Sequence, residues 1–460
     1  MIKRVFIANR GEIAVRIVRA CHAEEIEAVV AVSDPDRGSL AAQMADRAVC
    51  IGPGSTALSY LSPERLVSAA LGTGCDALHP GYGFLAENAD FAQLCADSGL
   101  VFVGPTPENI RSMGNKLEAR RLAEEHGVPL AAGSIKIQDV EHAEAMGADI
   151  GMPLLFKAAA GGGGRGIRIV RDRSELRGAF EQAAAEAQAA FGDRALFMER
   201  YIENARHVEV QILADTHGNV VHLAERDCSL QRRYQKMVEE APSVGLSDEL
   251  RAAIHEAAVR LATRIGYVSA GTVEFIVDLD RNFFYFLEMN TRVQVEHPVT
   301  EMLTGVDIVA EQLRVASGLP LSIQQDAVRL DGHVIECRIN AEAPGRGFSP
   351  SPGRLTRWDP PKGDHIRLDT HAFEGWAVSP YYDSLLGKLV VRGADRPAAV
   401  AAMRTALEDF AIEGPETTLT FLRYVFAQPD FGEGRFNTRW LEAVAPAFSA
   451  KAASRWGQKS

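Results

Sequence analysis

Residues 284–300 combine an apolar start with polar side chains at every second position. These side chains are Glu288, Asn290, Arg292, Gln294 and Glu296. In an extended backbone, residues two apart project from the same face, so one edge would carry carboxylates, amides and a guanidinium. Burying such a set is costly unless a metal ion or an anionic ligand satisfies it. The pattern therefore favours a binding site on a strand that runs into an ordered loop over the solvated face of an antiparallel strand.

A second predicted strand, residues 271–278, precedes this stretch and is joined to it through the turn-forming residues 280–282. If the turn centres on Arg281, Glu274 lies directly opposite Glu288, with both side chains on one face. Glu274, Glu288 and Asn290 then form an all-oxygen set that suits Mg²⁺ or Mn²⁺. Because a shift of one residue in the register would destroy this pairing, the structure can test it.

Length and composition limit the class of protein. The 460 residues suffice for two or three domains, each with its own core. The net charge of −12 and the lack of a polybasic segment disfavour binding to nucleic acid or to a membrane surface. We expect neither a signal peptide nor a membrane-spanning segment. Six cysteines without Cys-x-x-Cys spacing are typical of reduced thiols in a cytoplasmic protein.

Strands alternate with helices over residues 1–114, which predicts a Rossmann-like α/β domain with a parallel sheet. Its first turn lacks Gly-x-Gly-x-x-Gly, so a dinucleotide role has little support. Residues 331–446 predict an α+β domain, followed by a tail over residues 447–460.

A glycine-rich run over residues 161–166 lies between two predicted strands, the first of which carries Lys157. It is not a Walker A loop, because the lysine precedes the glycines and a strand follows them. Between paired strands, the run favours a mobile flap that closes on phosphates over a flexible linker. Four cations between residues 226 and 236 could complement a polyphosphate or an oxyanion.

Six motifs, in this order, resemble biotin carboxylase, the ATP-grasp subunit or domain of the biotin-dependent carboxylases. They are residues 8–14, residues 79–85, Lys157 before the glycine run, and residues 224–229, 288–301 and 336–342. The resemblance extends from about residue 3 to about residue 441. It implies an ATP-grasp domain over residues 115–330, with a mobile glycine-rich lid at about residues 131–203.

In this family, ATP phosphorylates bicarbonate to carboxyphosphate, whose CO₂ passes to N1′ of biotin. The resemblance implies that ATP is held by Lys116, Lys157, Gly163, Gly164, Glu199, Arg200, Tyr201, Ile202, His207, Gln231, Tyr234, Glu274 and Glu288. The implied bicarbonate ligands are Lys236, Arg292, Gln294, the Val295 N–H and Glu296. Glu296 would be the general base, and Arg338 would stabilise the biotin enolate. Arg338 and Tyr82 are the implied biotin-binding residues. Two Mg²⁺ or Mn²⁺ ions would bind Glu274, Glu288 and Asn290.

Four positions depart from the family pattern. Tyr234 stands where His is common and Arg200 where Lys is common, and both changes are expected to alter ATP affinity. Ala160 stands where many relatives begin the glycine run, which would lower the mobility of the flap slightly. Ala343 replaces a common Asp, without an expected consequence.

The resemblance also implies partners. The chain has no Ala-Met-Lys-Met tetrapeptide, the mark of a biotin-accepting domain, so biotin is expected on a separate biotin carboxyl carrier protein. Carboxyltransferase subunits and a homodimer with contacts around Arg16 and Arg19 are also expected, although those arginines fit an exposed helix face equally well.

Three classes of function stay open. The first is the biotin carboxylase of acetyl-CoA carboxylase in fatty acid synthesis, or the same subunit serving pyruvate, propionyl-CoA or an amide substrate. The second is another ATP-grasp ligase, which should lack Arg338 and the set Arg292, Gln294 and Glu296. The third is a regulatory subunit, which the intact Glu296, Arg338 and metal ligands disfavour.

Overall fold

The computed structural model describes residues 1–133, 136–158 and 167–448. Ala160, Gly163 and Gly164 therefore lie outside the described residues, as does the tail beyond residue 448.

The N-terminal region is a parallel five-stranded sheet in the order β3-β2-β1-β4-β5, which confirms the predicted α/β domain type. Its strands are Arg4–Ile7 (β1), Glu27–Ser33 (β2), Arg47–Gly52 (β3), Ala77–His79 (β4) and Val101–Phe102 (β5). Its helices are Gly11–Ala23 (α1), Leu40–Met44 (α2), Pro63–Gly72 (α3), Ala89–Asp97 (α4) and Pro107–Gly114 (α5). Helix α1 buries Ile13, Ile17 and Ala20, the spacing of one helix face.

A smaller sheet in the order β7-β6-β8 has its own apolar core. Its strands are Leu154–Ala158 (β6), Arg168–Val170 (β7) and Leu196–Arg200 (β8). Lys116–Glu125 (α6) precedes it, and Val140–Ile150 (α7) and Leu176–Phe191 (α8) pack on it. The antiparallel pairing of β6 with β7 confirms the predicted hairpin on either side of the glycine run.

The largest sheet has eight strands in the order β13-β12-β9-β10-β11-β14-β21-β19. Its first five members by sequence are Ala205–Ala214 (β9), Val220–Arg232 (β10), Gln235–Ala241 (β11), Ser269–Asp278 (β12) and Phe283–Asn290 (β13). The helices of this region are Asp248–Arg264 (α9), His297–Thr304 (α10) and Ile308–Ala316 (α11). The Ser247 side chain caps α9, whose face with Ile254 and Leu261 is buried against the sheet.

The C-terminal region continues this sheet across the predicted boundary at residue 331 and adds helices, so it is α+β as predicted. Its strands are His333–Asn340 (β14), Glu342–Ala343 (β15), Ser349–Pro350 (β16), Gly353–Arg354 (β17), Arg357–Asp359 (β18), Ile366–Thr370 (β19), Ala377–Val378 (β20), Leu385–Gly393 (β21) and Ala411–Glu413 (β22). Its helices are Arg396–Asp409 (α12), Leu419–Phe426 (α13), Pro429–Gly432 (α14) and Trp440–Val444 (α15). Among the described residues, no helix is long and apolar enough to cross a membrane.

Candidate active site

The hairpin of β12 and β13 places Glu274 opposite Glu288, as predicted. The turn itself is offset from the predicted centre, because Asp278 pairs with Phe283 and Phe275 with Phe286. An irregularity at Leu287 then adds one residue to β13 and restores the Glu274–Glu288 pairing. The carboxylates therefore face each other because of a bulge, and not because the turn centres on Arg281.

Beyond Asn290 the chain leaves the sheet, so strand alternation does not explain the rest of the polar series. Glu296 is the residue before helix α10 and has φ −81° and ψ 11°, which is not an extended conformation. The predicted change from strand to ordered loop is thus correct. Arg292, Gln294 and Glu296 point into the site because this loop folds back, as the contacts of Gln294 with Glu274 (3.1 Å) show.

Lys236 is the electrostatic centre of the site. Its Nζ lies 2.5 Å from Glu209 Oε2, 2.6 Å from Glu296 Oε1 and 3.1 Å from Glu274 Oε1. Burial raises the pKa of Glu296, but Lys236, Arg338 and other cations outweigh it and hold that pKa well below its usual value. Glu296 is therefore ionised at neutral pH and can accept a proton.

Arg226 and Glu209 support this centre, although sequence analysis gave neither a specific role. The Arg226 guanidinium is fully buried and donates to Glu209 (2.7 Å), Gln211 (2.8 Å) and Thr300 (2.9 Å). Glu209, also fully buried, thus lies between Arg226 and Lys236. The sequence signal is the alternation of polar residues with valines in β9, a pattern that fits a polar face turned either to solvent or to the cleft.

The four cations predicted as one group are separated, which corrects that expectation. They lie on two strands and the turn between them, so their side chains point in different directions. Arg226 and Lys236 face the carboxylates, whereas Arg232 lies over the Phe348 ring at 4.1 Å. Arg233 occupies the turn, with φ +49°.

Arg338 links Glu296 to a second carboxylate, Glu239. Its Nη2 lies 2.9 Å from Glu296 Oε2, and its Nε donates to Glu239 Oε1 at 2.7 Å. Tyr82, the other predicted biotin residue, is half-buried and donates from its hydroxyl to Glu12. The same Glu12 pairs with Lys388, which lies opposite Arg338 in the pair of strands β14 and β21, so the two predicted biotin residues are linked through this ion pair.

Arg292 is linked to Glu274 through Asn290 and Gln294, which both donate to that carboxylate. Its Nη1 donates to Gln294 Oε1 (3.1 Å) and its Nη2 to Asn290 Oδ1 (3.2 Å). Its Nε donates to Glu87 at 2.8 Å, a partner that sequence analysis missed because it lies 205 residues away. A guanidinium held by this network keeps one orientation, which suits recognition of a small anion.

Lys116, Lys157 and Glu199 form the side of the site at strands β6 and β8 and the start of helix α6. Lys157 makes an ion pair with Glu199, which Arg120 also contacts. Lys116 is half-buried at the start of helix α6; burial lowers its pKa, whereas the charges of Glu288 and Glu199 raise it. The predicted ATP residues Lys116, Lys157, Glu199 and Glu288 are therefore neighbours.

The other described residues predicted to bind ATP lie on or next to strands β8, β9 and β10. His207 Nδ1 lies 2.8 Å from Gln231 Nε2, and its Nε2 lies 2.8 Å from Glu274. Tyr234 is 53% exposed, and burial together with the neighbouring Tyr201 raises its pKa. Arg200 and Ile202 are half-buried on either side of Tyr201 at the end of β8. His207 and Gln231 lie on the neighbouring strands β9 and β10 of the large sheet, whereas Arg200 ends strand β8 of the small sheet.

The carboxylate pair fits a hard divalent cation. No described residue donates a hydrogen bond to Glu288. Burial and the charge of Glu274 raise the pKa of Glu288, and two lysines oppose this rise. Glu274 accepts from Lys236, Asn290 and Gln294. Glu274, Glu288 and Asn290 offer the oxygen ligands that Mg²⁺ prefers. A cation would also satisfy the buried Glu288 carboxylate, which has no donor among the described residues.

Glu336 is a buried carboxyl group next to the site. It is 0% exposed, pairs across the strands with Glu239, and has no hydrogen-bond partner on either oxygen among the described residues. Burial and Glu239 raise its pKa well above the usual 4.5. Burial also raises the pKa of Glu239, to about 7, against the effect of Arg338. The pair therefore retains a proton at neutral pH.

Replacing Glu336 with glutamine, which resembles the protonated acid, is expected to stabilise the protein increasingly as the pH rises. Above about pH 4.5 the folded wild type binds more protons than the unfolded chain, so its free energy of unfolding falls with pH. The difference in the free energy of unfolding between Glu336→Gln and the wild type should widen by at most about 1.4 kcal/mol per pH unit. Urea denaturation at several pH values measures it, with exposed Glu374→Gln as control. Parallel curves for wild type and Glu336→Gln would contradict the assignment.

Models of known protein families match nearly the whole chain. The biotin carboxylase N-terminal domain matches residues 1–110, the carbamoyl-phosphate synthase L chain ATP binding domain residues 115–324, and the biotin carboxylase C-terminal domain residues 336–443. Biotin carboxylase 1 of Bacillus subtilis is 51% identical over 96% of this chain and 98% of its own length. The chain belongs to the biotin carboxylase family.

Solved structures of this family share the fold. One is a biotin carboxylase from Campylobacter jejuni in complex with β,γ-ATP. It is 43% identical to this chain, and the TM-score is 0.94 over 96% of this chain and 99% of the other. The biotin carboxylase domain dimer of the Hydrogenobacter thermophilus 2-oxoglutarate carboxylase, with MgADP, ADP and bicarbonate, is 48% identical, with a TM-score of 0.94 over 98% and 99%. As a member of the biotin carboxylase family, this protein is an ATP-dependent ligase with the predicted ATP-grasp fold.

Proposed function

We propose that this biotin carboxylase carboxylates biotin on a separate carrier protein, using ATP and bicarbonate through carboxyphosphate. The observation that carries the proposal is the position of Glu296. One of its oxygens bonds to Lys236, beside the metal carboxylate Glu274, and the other bonds to Arg338. The Glu296 carboxylate thus connects the proposed phosphoryl-transfer site to Arg338, whose guanidinium can stabilise an enolate.

In the proposed reaction, Lys236, Arg292, Gln294 and the Val295 N–H hold bicarbonate against Glu296. Bicarbonate takes over hydrogen bonds from Lys236, so the pKa of Glu296 rises towards that of a working base. Glu296 then accepts the bicarbonate proton, and the oxygen that lost it attacks the γ-phosphate of ATP. Holding both reactants in one site removes much of the entropic cost of this step.

Arg338 acts in the second step, when biotin N1′ takes up the CO₂ of carboxyphosphate. Cleavage of carboxyphosphate releases CO₂ and phosphate, the phosphate takes the N1′ proton, and the guanidinium stabilises the negative charge that this leaves on the ureido oxygen. Glu239, bonded to Arg338 Nε, holds the guanidinium in place. Tyr82 is assigned to biotin with it, and its hydroxyl donates to Glu12, which pairs with Lys388 opposite Arg338.

ATP is assigned to the residues that the family resemblance implies, among them Lys116, Lys157, Gly163, Gly164, His207, Gln231 and Tyr234. Glu274, Glu288 and Asn290 are proposed to hold two divalent ions, Mg²⁺ or Mn²⁺. When bound, such ions neutralise charge on the phosphates.

Replacing Glu288 with glutamine is expected to raise the Mg²⁺ concentration for half-maximal activity by about 10–100-fold. Glutamine keeps the size of the side chain but loses the charge that faces the cation. Mg²⁺ titration of ATP turnover measures the change, with exposed Glu249→Gln as matched control. An unchanged Mg²⁺ requirement would remove Glu288 from the metal site.

The decisive experiment measures ATP turnover of the wild type with bicarbonate and free biotin, and with each omitted. We expect turnover to need bicarbonate and to rise with biotin. Turnover that ignores both would instead favour a different ATP-grasp ligase. The convergence of Glu296, Lys236 and Arg338 argues against that ligase and against a regulatory subunit without catalysis.

Acetyl-CoA carboxylase in the cytoplasm, with a biotin carboxyl carrier protein and carboxyltransferase subunits, is the proposed setting. A 2-oxoglutarate carboxylase domain that is 48% identical supports the alternative of a different acceptor, such as pyruvate or propionyl-CoA. Capture of the biotinylated carrier by this chain, followed by identification of that carrier, distinguishes the possible acceptors.

A homodimer is also proposed, since the 2-oxoglutarate carboxylase domain is described as a dimer. Arg16 is buried against Glu301 and Asp307, and exposed Arg19 lines a cleft of about 380 Å³ with it.

A further inference from the structure

Two fully buried side chains, His297 and Lys388, hold the peptide groups on either side of Val295. His297 Nδ1 lies 2.8 Å from the Gln294 carbonyl oxygen, and Lys388 Nζ donates to the Val295 carbonyl oxygen at 2.8 Å. A peptide group is planar, so holding its carbonyl also orients the N–H on its opposite side. The first peptide carries the Val295 N–H, and the second leads directly into Glu296.

His297 acts here as a neutral donor. Burial lowers its pKa well below the usual value, and the charges of Lys388, Arg16 and Arg367 lower it further. A carbonyl oxygen can only accept, so Nδ1 carries the hydrogen. The tautomer of His297 is therefore set by the Gln294 carbonyl that it holds.

Lys388 is itself held from the N-terminal region. Its Nζ lies 2.9 Å from Glu12 Oε1 on helix α1, and the same Glu12 oxygen accepts from the Tyr82 hydroxyl. Glu12 belongs to the motif at residues 8–14, to which no chemical role was assigned. The chain of contacts Tyr82, Glu12, Lys388 and Val295 joins the residue proposed for biotin to the loop proposed for bicarbonate.

We propose that Lys388 and His297 are positioning residues that aim the Val295 N–H and the Glu296 carboxylate at bicarbonate, with Glu12 anchoring Lys388. The inference rests on the proposed bicarbonate site and deepens it. Neither side chain is placed in contact with a substrate. Their loss misplaces two ligands of one anion and leaves the ATP residues beside the lid unchanged.

The test compares two changes with their conservative partners, in the full-length protein at saturating ATP. Glu12→Gln combined with Lys388→Met removes the buried ion pair without leaving an unpaired charge. His297→Ala removes the donor, whereas His297→Asn keeps an amide donor near the position of Nδ1. The double variant and His297→Ala should raise the KM for bicarbonate about 10–100-fold. His297→Asn should stay within about threefold of wild type, and the KM for ATP should hardly change in any variant.

The pattern of KM values separates positioning from a loss of folded protein, which would lower kcat and leave both KM values unchanged. Lys362→Met, at an exposed lysine, is the control. Folded variants with a wild-type KM for bicarbonate would overturn the inference, as would His297→Asn behaving like His297→Ala. A wild type without bicarbonate-dependent turnover would instead overturn the proposed function, and the inference with it.

Discussion

Replacing Glu296 with glutamine should lower bicarbonate-dependent ATP turnover by about 10²–10⁴-fold, the usual contribution of a general base. Glutamine has nearly the same shape but cannot accept the bicarbonate proton. It also leaves Lys236 and Arg338 with one negative charge fewer between them. Initial rates of ADP formation, with and without bicarbonate, measure the effect.

Two controls make the Glu296 result interpretable. ATP binding should persist, because the proposed ATP residues Lys116 and Lys157 lie on the lid side of the site, and nucleotide titration checks it. Exposed Glu374→Gln should turn over like the wild type. If Glu296→Gln retained full bicarbonate-dependent activity while folded, the general base would have to be another group.

Replacing Arg226 with methionine is expected to destabilise the protein by about 3–5 kcal/mol. The guanidinium is 0% exposed and donates to Glu209, Gln211, Thr300 and Thr272, so the substitution leaves several buried acceptors without a donor. The Glu209 carboxylate would then depend on Lys236, which also contacts Glu274 and Glu296. Urea or thermal denaturation measures the loss.

Lysine at position 226 should recover part of this stability, because it restores the charge but not the fork of donors that reaches several side chains. Arg357→Met, at an exposed arginine, should change the free energy of unfolding by less than about 0.5 kcal/mol. A loss below about 1 kcal/mol for Arg226→Met would mean that water or a rearranged partner replaces the guanidinium.

Local regularity explains which parts of the site could be predicted. The Glu274–Glu288 pairing followed from a strand period of two and a short turn, and the strand-to-loop change followed from the residues after Asn290. The bulge at Leu287 left no signal, since its neighbours read as ordinary strand residues. The predicted pairing was correct because the shift of the turn and the extra residue at the bulge compensate for each other.

Tertiary packing explains what was missed. Glu87 and Arg292 meet across 205 residues, and no local period relates them. Arg226 was grouped with cations near it in sequence, although its partners come from other strands and from helix α10. The family resemblance assigned the groups expected to touch substrate, whereas the buried residues behind them emerged only from the contacts.

The continuous eight-stranded sheet makes the central and C-terminal regions one mechanical unit. β11 and β14 pair side by side across the change of region, so Glu239 and Arg338 are brought together by backbone hydrogen bonds. A chain ending near residue 330 would leave β11 as a bare edge that invites aggregation. The C-terminal region therefore cannot be exchanged for another without also supplying a strand that pairs with β11.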